Sequence, residues 1–382
     1  MAQWNRVPLI DYIELIGGGT PKTTVPEYWN GNIPWLSVKD FNNDKRYVYS
    51  TEKHISQSGF ENSPTKMLHK DDIIISARGT VGEIAMIPFD MAFNQSCYGI
   101  RASRGIDQPF LYYLLKNCIS QLKRMTHGSV FDTITRDTFA NIEVDIPDAE
   151  TQKRISSVLA DIDNKIEVND AINDNLHQQA ATLFKALFVD LTPSDGTMPP
   201  NWTISTLGDA TEMGAGGDKP KESSPVKTPL CPYPIYSNGI NDYGLYGYTN
   251  DPKIKVESVT VSARGTIGYV CLRHTPYVPI VRLVTLIPDT KVLSAKYLYL
   301  YLRQLHITGT GTTQQQLTVP DFRKTEIIIP DKNTMDSFTE TVTPLFEQIW
   351  ANEDENTKLA EVRDALLPKL MSGEIDVSDI QL

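Results

Sequence analysis

The sequence predicts a duplicated α/β (α+β) fold, in which two globular units are each followed by one long helix. Three observations support this prediction. Four short segments recur in the same order in both halves of the chain, short strand-like stretches surround one helix in each half, and each half contains an apolar heptad pattern. We therefore expect two similar units related by a pseudo-twofold axis and joined by an antiparallel coiled coil of the two long helices.

The duplication is visible as paired segments that share residues. Most clearly, Ile73–Gly82 returns as Val259–Gly268 at a shift of 186 residues, and both copies contain Ser-Ala-Arg-Gly-Thr. The other pairs are Phe110–Leu115 with Tyr297–Leu302, Ile146–Asp148 with Ile329–Asp331, and residues 9–19 with residues 207–217. One such match arises by chance, whereas four in the same order indicate an internal repeat.

Within each globular unit, runs of apolar and β-branched residues predict short strands around one helix. In the first unit the predicted strands are Ile33–Val38, Asp72–Ser76, Glu83–Ile87 and Ile142–Ile146, and the predicted helix is Gln108–Met125. In the second unit the predicted strands are Val256–Ser262, Gly268–Leu272, Ile280–Ile287 and Glu326–Ile329, and the predicted helix is Ala295–Leu305. This mixture indicates a unit built around a curved sheet.

Behind each Ile-Pro-Asp segment, apolar residues alternate three and four positions apart, which predicts a helix seam roughly 50 Å long. Two asparagines occupy equivalent seam positions in each helix: Asn169 and Asn173, then Asn352 and Asn356. Buried asparagine costs stability but fixes register. Antiparallel packing about an axis near residues 171 and 354 would place Asn169 opposite Asn356 and Asn173 opposite Asn352. The alternative is two amphipathic helices within a larger core.

Proline and glycine mark the ends of the predicted helices. Pro344 stands where the first helix has Asp161, so we expect the second helix to start late or to kink there. Pro368 is expected to bend its last turns, and Gly373 is expected to end it. Leu191–Pro200 is rich in proline and small polar residues, which predicts a flexible linker between the halves.

The net charge of −11 is concentrated near the end of the chain, where residues 332–382 carry 4 basic and 11 acidic side chains. This balance is no evidence for nucleic-acid binding, because phosphate contacts need Lys and Arg. The four cysteines are far apart and form no Cys-x-x-Cys pair, which indicates reduced thiols in a cytoplasmic protein rather than disulfides or a metal site. Neither a secretory signal nor a membrane-spanning apolar run is recognisable.

The repeated Ser-Ala-Arg-Gly-Thr segment is the first candidate contact site, and each copy lies between two predicted strands. Hydroxyl groups, a guanidinium group and an exposed glycine amide suit contacts to phosphate or to base edges. The DNA-binding candidates from the two copies are Ser76, Arg78, Gly79 and Thr80, and Ser262, Arg264, Gly265 and Thr266. The alternative is an ordinary hairpin turn with a solvated arginine.

Two further pairs of loops supply weaker candidates. The loops that follow the predicted helices contain Gly128 and Ser129 in the first unit, and Thr312 and Gln314 in the second. Small polar groups beside glycine suit a close approach to DNA, although an ordinary connection has the same composition. Glycine-rich segments at residues 17–23 and 214–219 supply Lys22 and Lys219 as candidates for phosphate contact. They lack the spacing of a nucleotide-binding loop.

No catalytic constellation is recognisable in the sequence. The six histidines are scattered without His-Glu-x-x-His spacing, and the Asp/Asn-Pro-Pro-aromatic segment of amino-methyltransferases does not occur. Asp321 and Glu326 invite a nuclease interpretation, but no Glu-x-Lys follows them. We therefore expect no catalytic residue, no metal site and no cofactor on this chain.

A globular unit, Ile-Pro-Asp and a seamed helix, followed by the same order again, resemble the specificity subunit of type I restriction-modification enzymes. Pro34–Ser37, the two Ser-Ala-Arg-Gly-Thr segments, Thr151–Ile155 and Ser372–Ile375 carry the resemblance, which covers nearly the whole chain. It implies the following domains: target recognition domain 1 at residues 1–148, the first spacer helix at 149–190, a linker at 191–200, target recognition domain 2 at 201–331, and the second spacer helix with an acidic tail at 332–382. Tyr233–Ser237 departs from the Pro-Trp-Leu-Ser pattern in the second half.

The resemblance also implies a division of labour in host defence. Each target recognition domain would read one half of a split, asymmetric double-stranded DNA sequence, and the helices would set the spacing and dock two methyltransferase subunits. S-adenosylmethionine would bind to those subunits, and ATP and Mg would bind to motor-nuclease subunits. A close variant has a fused methyltransferase-nuclease partner. The rival hypothesis is a two-headed protein-interaction scaffold, which the net negative charge favours.

Overall fold

The computed structural model describes residues 4–126, 133–309 and 316–380. The chain forms two compact units. Unit 1 comprises Met1–Ala171 and Asn352–Leu382, and unit 2 comprises Ile172–Ala351. This division falls within both long helices, so each unit contains half of each, whereas the sequence-based domain boundaries lie at the helix starts. Within the described ranges, no helix has the length and apolarity needed to cross a membrane.

Unit 1 contains two four-stranded sheets and a two-stranded ribbon. Its strands are β1 (Asn5–Pro8), β2 (Ile13–Gly17), β3 (Trp29–Leu36), β4 (Lys53–Ile55), β5 (Met67–Leu68), β6 (Ile73–Ser76), β7 (Ile84–Met86), β8 (Met91–Phe93), β9 (Cys97–Ala102) and β10 (Glu143–Ile146). The strand orders are β2-β9-β6-β7, β4-β3-β8-β5 and β1-β10. Its shorter helices are α1 (Gln57–Glu61), α2 (Gln108–Thr126) and α3 (Arg136–Ala140).

Unit 2 repeats this plan. Its strands are β11 (Thr203–Thr206), β12 (Thr211–Ala215), β13 (Ser223–Ser224), β14 (Tyr233–Tyr236), β15 (Leu245–Thr249), β16 (Ser258–Val261), β17 (Val270–Arg273), β18 (Val278–Pro279), β19 (Val284–Pro288) and β20 (Glu326–Ile329). The strand orders are β12-β19-β16-β17, β13-β15-β14-β18 and β11-β20. Its shorter helices are Leu207–Ala210, Ala295–Gln304 and Val319–Phe322.

The two units share strand register as well as strand order. Ile75 of β6 pairs with Tyr98 of β9, and Val261 of β16 pairs with Val284 of β19, so both partners shift by the same number of residues. The single parallel pairing in each second sheet, β3 with β8 and β14 with β18, is also repeated. The duplicated α/β fold is therefore confirmed. The units differ at the edges of their second sheets.

The central strand of each unit is buried on both faces. In β6, Ile73 and Ile75 pack with Phe110 of α2, whereas Ile74 points the other way into a cluster with Leu36 and Phe93 of the second sheet. Successive side chains of a strand point to opposite faces, so the Ile-Ile-Ile run of β6 gives both covered faces apolar groups. In β16 the equivalent buried position is Thr260, whose hydroxyl accepts a hydrogen bond of 3.0 Å from the buried Arg273.

The repeated Ile-Pro-Asp segment marks the passage from the last strand into a long helix. Ile146 of β10 pairs with Asn5 of β1, and Ile329 of β20 pairs with Thr203 of β11. The next aspartate, Asp148, accepts hydrogen bonds from the backbone amides of Glu150 and Thr151 at 3.1 and 3.0 Å. Asp331 accepts equivalent bonds. A carboxylate at this position satisfies free helical amides, so the motif fixes where each helix begins.

The long helices extend over Ala149–Phe184, with a further π-helical turn at Lys185–Val189, and over Lys332–Met371. Within unit 1, Asp163 pairs with Arg363 and Asn169 with Asn356. Within unit 2, His177 packs on Phe346 and Phe184 packs on Phe338. In both units one residue number rises as the other falls, which confirms antiparallel packing. The pseudo-twofold relation between the units stays a prediction.

The prediction of a late start for the second helix is wrong, and the alternative, a kink at Pro344, stays a prediction. The helix begins at Lys332 and continues through Pro344. Asp331 caps its first turn, and Val342 and Phe346 are buried on either side of the proline. Proline removes one helical hydrogen bond, but burial of the seam on both sides holds the backbone helical. At the other end, Gly373 has a φ of +72° two residues after Met371, which confirms its predicted role as the helix terminator.

A second sequence prediction is wrong in unit 2, where Ile280–Ile287 was expected to be one strand. In the structure this range begins with a turn at Val281 and Arg282, which separates β18 from β19, and only its last part belongs to β19. Neither residue type favours a turn, so the sequence pattern concealed it.

The seam differs in character between the units. In unit 1, the guanidinium group of Arg363 is buried and contacts Asp163, Asp44 and Asp364 at 2.8 to 2.9 Å. Tyr113 donates a hydrogen bond of 2.6 Å to Asp163. The equivalent seam positions in unit 2 are Ala180 and Phe346, which are both buried. One unit therefore closes its seam with ions and the other with apolar side chains.

We predict that Arg363→Ala destabilises unit 1 by about 3–5 kcal/mol, because it leaves the Asp163 carboxylate buried without its cation. The double variant D163A/R363A is the control and should be less destabilised than the single variant. Equilibrium urea unfolding, monitored by hydrogen exchange of residues 149–171, measures the destabilisation of both variants. A loss below about 1 kcal/mol, the value for exposed pairs, would contradict this account.

Candidate nucleic-acid interface

The two Ser-Ala-Arg-Gly-Thr segments form turns with the same internal hydrogen bonds. Ser76 is fully buried; its hydroxyl donates to the carbonyl oxygen of Thr80 at 2.5 Å and accepts from the amide of Glu83 at 2.8 Å. In unit 2, the Ser262 hydroxyl likewise donates to the Thr266 carbonyl and accepts from the Tyr269 amide at 2.9 Å. Both serines therefore hold the turn from its buried side, and their burial argues against the prediction that their hydroxyl groups contact DNA directly.

Above each serine, the next residues of the turn face solvent. Arg78, Gly79 and Thr80 are exposed, as are Arg264, Gly265 and Thr266 in unit 2. Gly79 has a φ of +79° and Gly265 a φ of +69°, a backbone region that favours glycine. A side chain added at either glycine would meet no atom within 4 Å. Each turn thus presents a guanidinium group, a hydroxyl group and an uncovered stretch of backbone.

A second turn lies against each arginine turn. It comprises residues 94–97 in unit 1 and residues 280–283 in unit 2. In unit 1, the backbone amides of Ala77 and Arg78 both donate to the carbonyl oxygen of Ser96, at 2.8 and 3.2 Å. In unit 2, the link runs through a side chain: Asn238 accepts from the Ala263 amide at 2.7 Å and donates to the Val281 carbonyl at 2.6 Å. The sequence analysis missed this second turn, whose residues carry no glycine or proline signal.

The glycine-rich segments complete the same surface. Gly19 donates to the Phe93 carbonyl at 3.0 Å, and the Thr20 hydroxyl donates to the side-chain oxygen of Gln95. In unit 2, Gly217 and Gly216 accept from the amides of Val281 and Arg282 at 2.9 Å. A side chain at Gly18 or Gly216 would overlap the neighbouring backbone. These glycines therefore allow each segment to pack closely on the neighbouring turn.

The two lysines of these segments are exposed. Lys219 lies 5.2 Å from the ring of Tyr246, an exposed tyrosine, whereas the Lys22 carbonyl accepts a bond of 3.3 Å from the Trp29 indole. Hydrogen bonds thus bring the arginine turn, the neighbouring turn and the lysine-bearing segment together in each unit, directly in unit 1 and partly through Asn238 in unit 2.

Four of the predicted contact residues, Gly128, Ser129, Thr312 and Gln314, lie outside the described residues. The residues that follow them are described. The Ile134 amide donates to the Ala77 carbonyl at 3.0 Å, and the Leu317 amide donates to the Ala263 carbonyl at 3.1 Å. In both units the described residues that follow these loops therefore lie beside the arginine turn.

The polar layer of the seam lies in unit 1. Asn169 donates hydrogen bonds of 2.8 Å to the side chains of Asn356 and Glu355, and Asn356 donates one of 2.9 Å to Asp170. The bonds from Asn169 and Lys165 hold the pKa of Glu355 below its usual value. The layer satisfies both amides, as a register-fixing layer requires.

The other two seam asparagines are also buried. Asn173 of unit 2 lies 3.5 Å from the Ile349 carbonyl oxygen. Asn352 belongs to unit 1. Their facing across the seam stays a prediction, since they belong to different units.

In unit 1, the segment that follows β3 packs against the first long helix. The Arg46 guanidinium donates to the Ala160 carbonyl at 3.2 Å and to the Asn164 side chain at 3.1 Å. Lys45 pairs with Asp170 at 2.9 Å, and Tyr49 donates to Glu167 at 3.2 Å. The equivalent segment of unit 2, behind β14, instead returns to the arginine turn through Asn238.

Among residues 4–126, 133–309 and 316–380, no group of three His, Cys, Asp or Glu side chains is placed to hold a metal ion. Burial raises the pKa of Cys97 to about 12 and that of Cys118 to about 11, so both thiols stay protonated near neutral pH. The chemistry that the surfaces offer is hydrogen bonding and positive charge.

Comparisons with known proteins agree on one family. A model described as the type I restriction modification DNA specificity domain matches residues 1–178 and 199–361. The MjaIX specificity subunit of Methanocaldococcus jannaschii is 27% identical over 413 residues, covering 99% of this chain and 94% of that protein. The HindI specificity subunit of Haemophilus influenzae is 27% identical over 354 residues, covering 70% and 77%. The fold resembles the crystal structure of a type I S subunit from M. genitalium, with a TM-score of 0.58 at 15% identity, over 97% and 96% of the two chains.

We predict that Ser76→Ala and Ser262→Ala loosen their turns, because each removes two buried hydrogen bonds. The local loss of about 1–3 kcal/mol corresponds to hydrogen exchange roughly 5- to 150-fold faster at residues 81–84 or 267–270. Thr80→Ala and Thr266→Ala are matched controls, since these threonines are exposed and take part through their backbone carbonyls. Equal exchange in the serine and threonine variants would show that the serines do not hold the turns.

Proposed function

The chain belongs to the type I restriction-modification DNA specificity family, and from that premise we propose that it selects the sequence on which a type I restriction-modification enzyme acts. The observation that carries the proposal is the pair of arginine turns. The same five residues are repeated on the same frame, each with a buried serine below and an exposed arginine above. Arginine on an exposed turn suits recognition of phosphates and of guanine edges.

We propose that each unit reads one half of a split target. The arginine turn is shared, but the surrounding side chains differ: unit 1 has Gln95 and Ser96 where unit 2 has Val281 and Arg282. Base readout depends on the set of donors and acceptors that reach the groove. Two units with one frame and different side chains therefore favour two different half-sequences, which makes the whole target asymmetric.

The long helices are proposed to set the distance between the half-sequences and to dock the partner subunits. Their continuity from Ala149 and from Lys332 and the satisfied Asn169–Asn356 layer support a rigid spacer. Val168 and Val362, which are about half exposed, give the helices of unit 1 apolar groups for a partner. The partners proposed are two methyltransferase subunits, together with motor-nuclease subunits or a fused equivalent.

Methyl transfer and cleavage are proposed to reside on those partners, and this chain is proposed to be non-catalytic. S-adenosylmethionine, ATP and Mg would then be bound by the partner subunits. The support is indirect: relatives of full length are named specificity subunits of type I enzymes, and the exposed groups of the turns are suited to binding. The protein-interaction scaffold is not favoured, because the family match covers both halves of the chain.

The half-target assignment is tested with Arg78→Ala and Arg264→Ala. The full chain, assembled with its methyltransferase partner, is used to select from double-stranded DNA with randomised positions, and the bound fraction is sequenced. We expect each variant to lose discrimination by about 5- to 150-fold, or 1–3 kcal/mol, in one half-sequence while the other half stays unchanged.

Two charge-matched controls accompany these variants. Arg104→Ala in unit 1 and Lys324→Ala in unit 2 each remove one exposed cation outside the turns and should leave both half-sequences intact. A wild-type complex that binds all sequences equally would overturn the proposed function. Variants that weaken both halves alike would overturn the assignment of one half to each unit.

A further inference from the structure

The turn between β18 and β19 adopts a backbone that its residues do not favour. Val281 and Arg282 have φ values of +52° and +66°. Left-handed φ is rare for residues other than glycine and is an outlier for a β-branched residue. Such conformations persist only where the surrounding structure enforces them, and they cluster at functional sites.

Four hydrogen bonds enforce this turn. The Val281 and Arg282 amides donate to the carbonyls of Gly217 and Gly216, both at 2.9 Å, and the Leu283 amide donates to the Ile280 carbonyl at 3.1 Å. The Asn238 side chain supplies the fourth bond, to the Val281 carbonyl at 2.6 Å. The turn is therefore held between the glycine-rich segment and the segment that follows β14.

Asn238 connects this turn to the repeated arginine turn. The same side-chain amide accepts from the Ala263 amide at 2.7 Å. Ala263 precedes Arg264, and Val281 precedes Arg282, so one amide group links the backbones next to two arginines. Both arginines are exposed.

The segment that carries Asn238 is itself supported from beneath. Arg273 is buried, lies 3.6 Å from the centre of the Tyr236 ring, and donates a hydrogen bond of 2.6 Å to the Tyr243 carbonyl. Ser237 donates to the Gly244 carbonyl at 2.8 Å. Asn238 thus directly follows the residue whose hydrogen bond to Gly244 closes this loop, and this holds Asn238 in place.

Unit 1 has no equivalent arginine at this place. The corresponding residues are Gln95 and Ser96, neither of which has a left-handed φ. Ser96 contacts the arginine turn through its own carbonyl oxygen, without an intervening side chain. The second arginine and its asparagine link are therefore features of unit 2.

We propose that Arg282 is a specificity-determining residue, which reads a guanine next to the base read by Arg264 in the half-sequence of unit 2, and that Asn238 is the positioning residue for both. A guanidinium group pairs with O6 and N7 of guanine in the major groove, and it does so only if its backbone is held at a fixed place. The inference rests on the proposed function, since it identifies what one half-target contains.

The test uses the full chain with its methyltransferase partner and double-stranded DNA with randomised positions. Arg282→Ala should lower the preference for guanine at one position of the unit 2 half-sequence by about 5- to 150-fold. Arg282→Lys should lose the same preference while keeping the salt dependence of binding, because it retains the charge but not the two-pronged geometry. Asn238→Ala should weaken the preference at two positions, those of Arg264 and Arg282.

Controls separate this inference from the function on which it rests. Ser96→Ala in unit 1 and Lys324→Ala in unit 2 should leave the unit 2 half-sequence unchanged. If Arg282→Ala weakens binding to all sequences equally and lowers the salt slope by about one, Arg282 contacts phosphate and the inference is overturned. A wild-type base profile in that variant also overturns it. A wild-type complex that shows no preference for any DNA sequence would instead overturn the proposed function.

Discussion

The candidate interface depends on a buried serine hydroxyl beneath each exposed turn. Ser76 and Ser262 each use one hydroxyl as both donor and acceptor, and this closes the turn across its base. Because the serine hydroxyl closes the turn from its buried side, the side chains above it are not needed to hold the turn. The arginine, the glycine backbone and the threonine are thereby left to face solvent at a fixed position. Arg78 and Arg264 owe their exposure to this bond.

The two units keep this frame and vary what surrounds it. Unit 1 uses the segment behind β3 to dock on the first long helix, whereas unit 2 returns the equivalent segment to the arginine turn through Asn238. The seam varies in the same way, with the buried Arg363 ion cluster in unit 1 and Ala180 with Phe346 in unit 2. Duplication thus supplies two equivalent scaffolds, and divergence of neighbouring segments makes them chemically different.

The sequence predicted those features that periodicity and repetition encode. The duplication, the long helices, their antiparallel packing and the position of each arginine turn followed from repeated residues and heptads. The features that it missed arise from tertiary contacts. Neither Val281 nor Arg282 favours a turn, and three hydrogen bonds from other segments, with one across the turn itself, enforce it. Likewise, Pro344 stays helical because the seam is buried on both sides of it. A sequence motif also does not show that Ser76 and Ser262 are buried, so it does not separate them from the exposed residues of the same turn.

Hydrogen exchange of the full chain in complex with its methyltransferase partner tests the central claim most directly. The complex would be compared with its selected target duplex and with a shuffled duplex of equal length, at one salt concentration. The account predicts that amides of residues 77–82 and 263–268 gain protection with the target and less with the shuffled duplex. Target binding that leaves both turns unprotected would contradict the assignment of these turns as the sequence-reading surface.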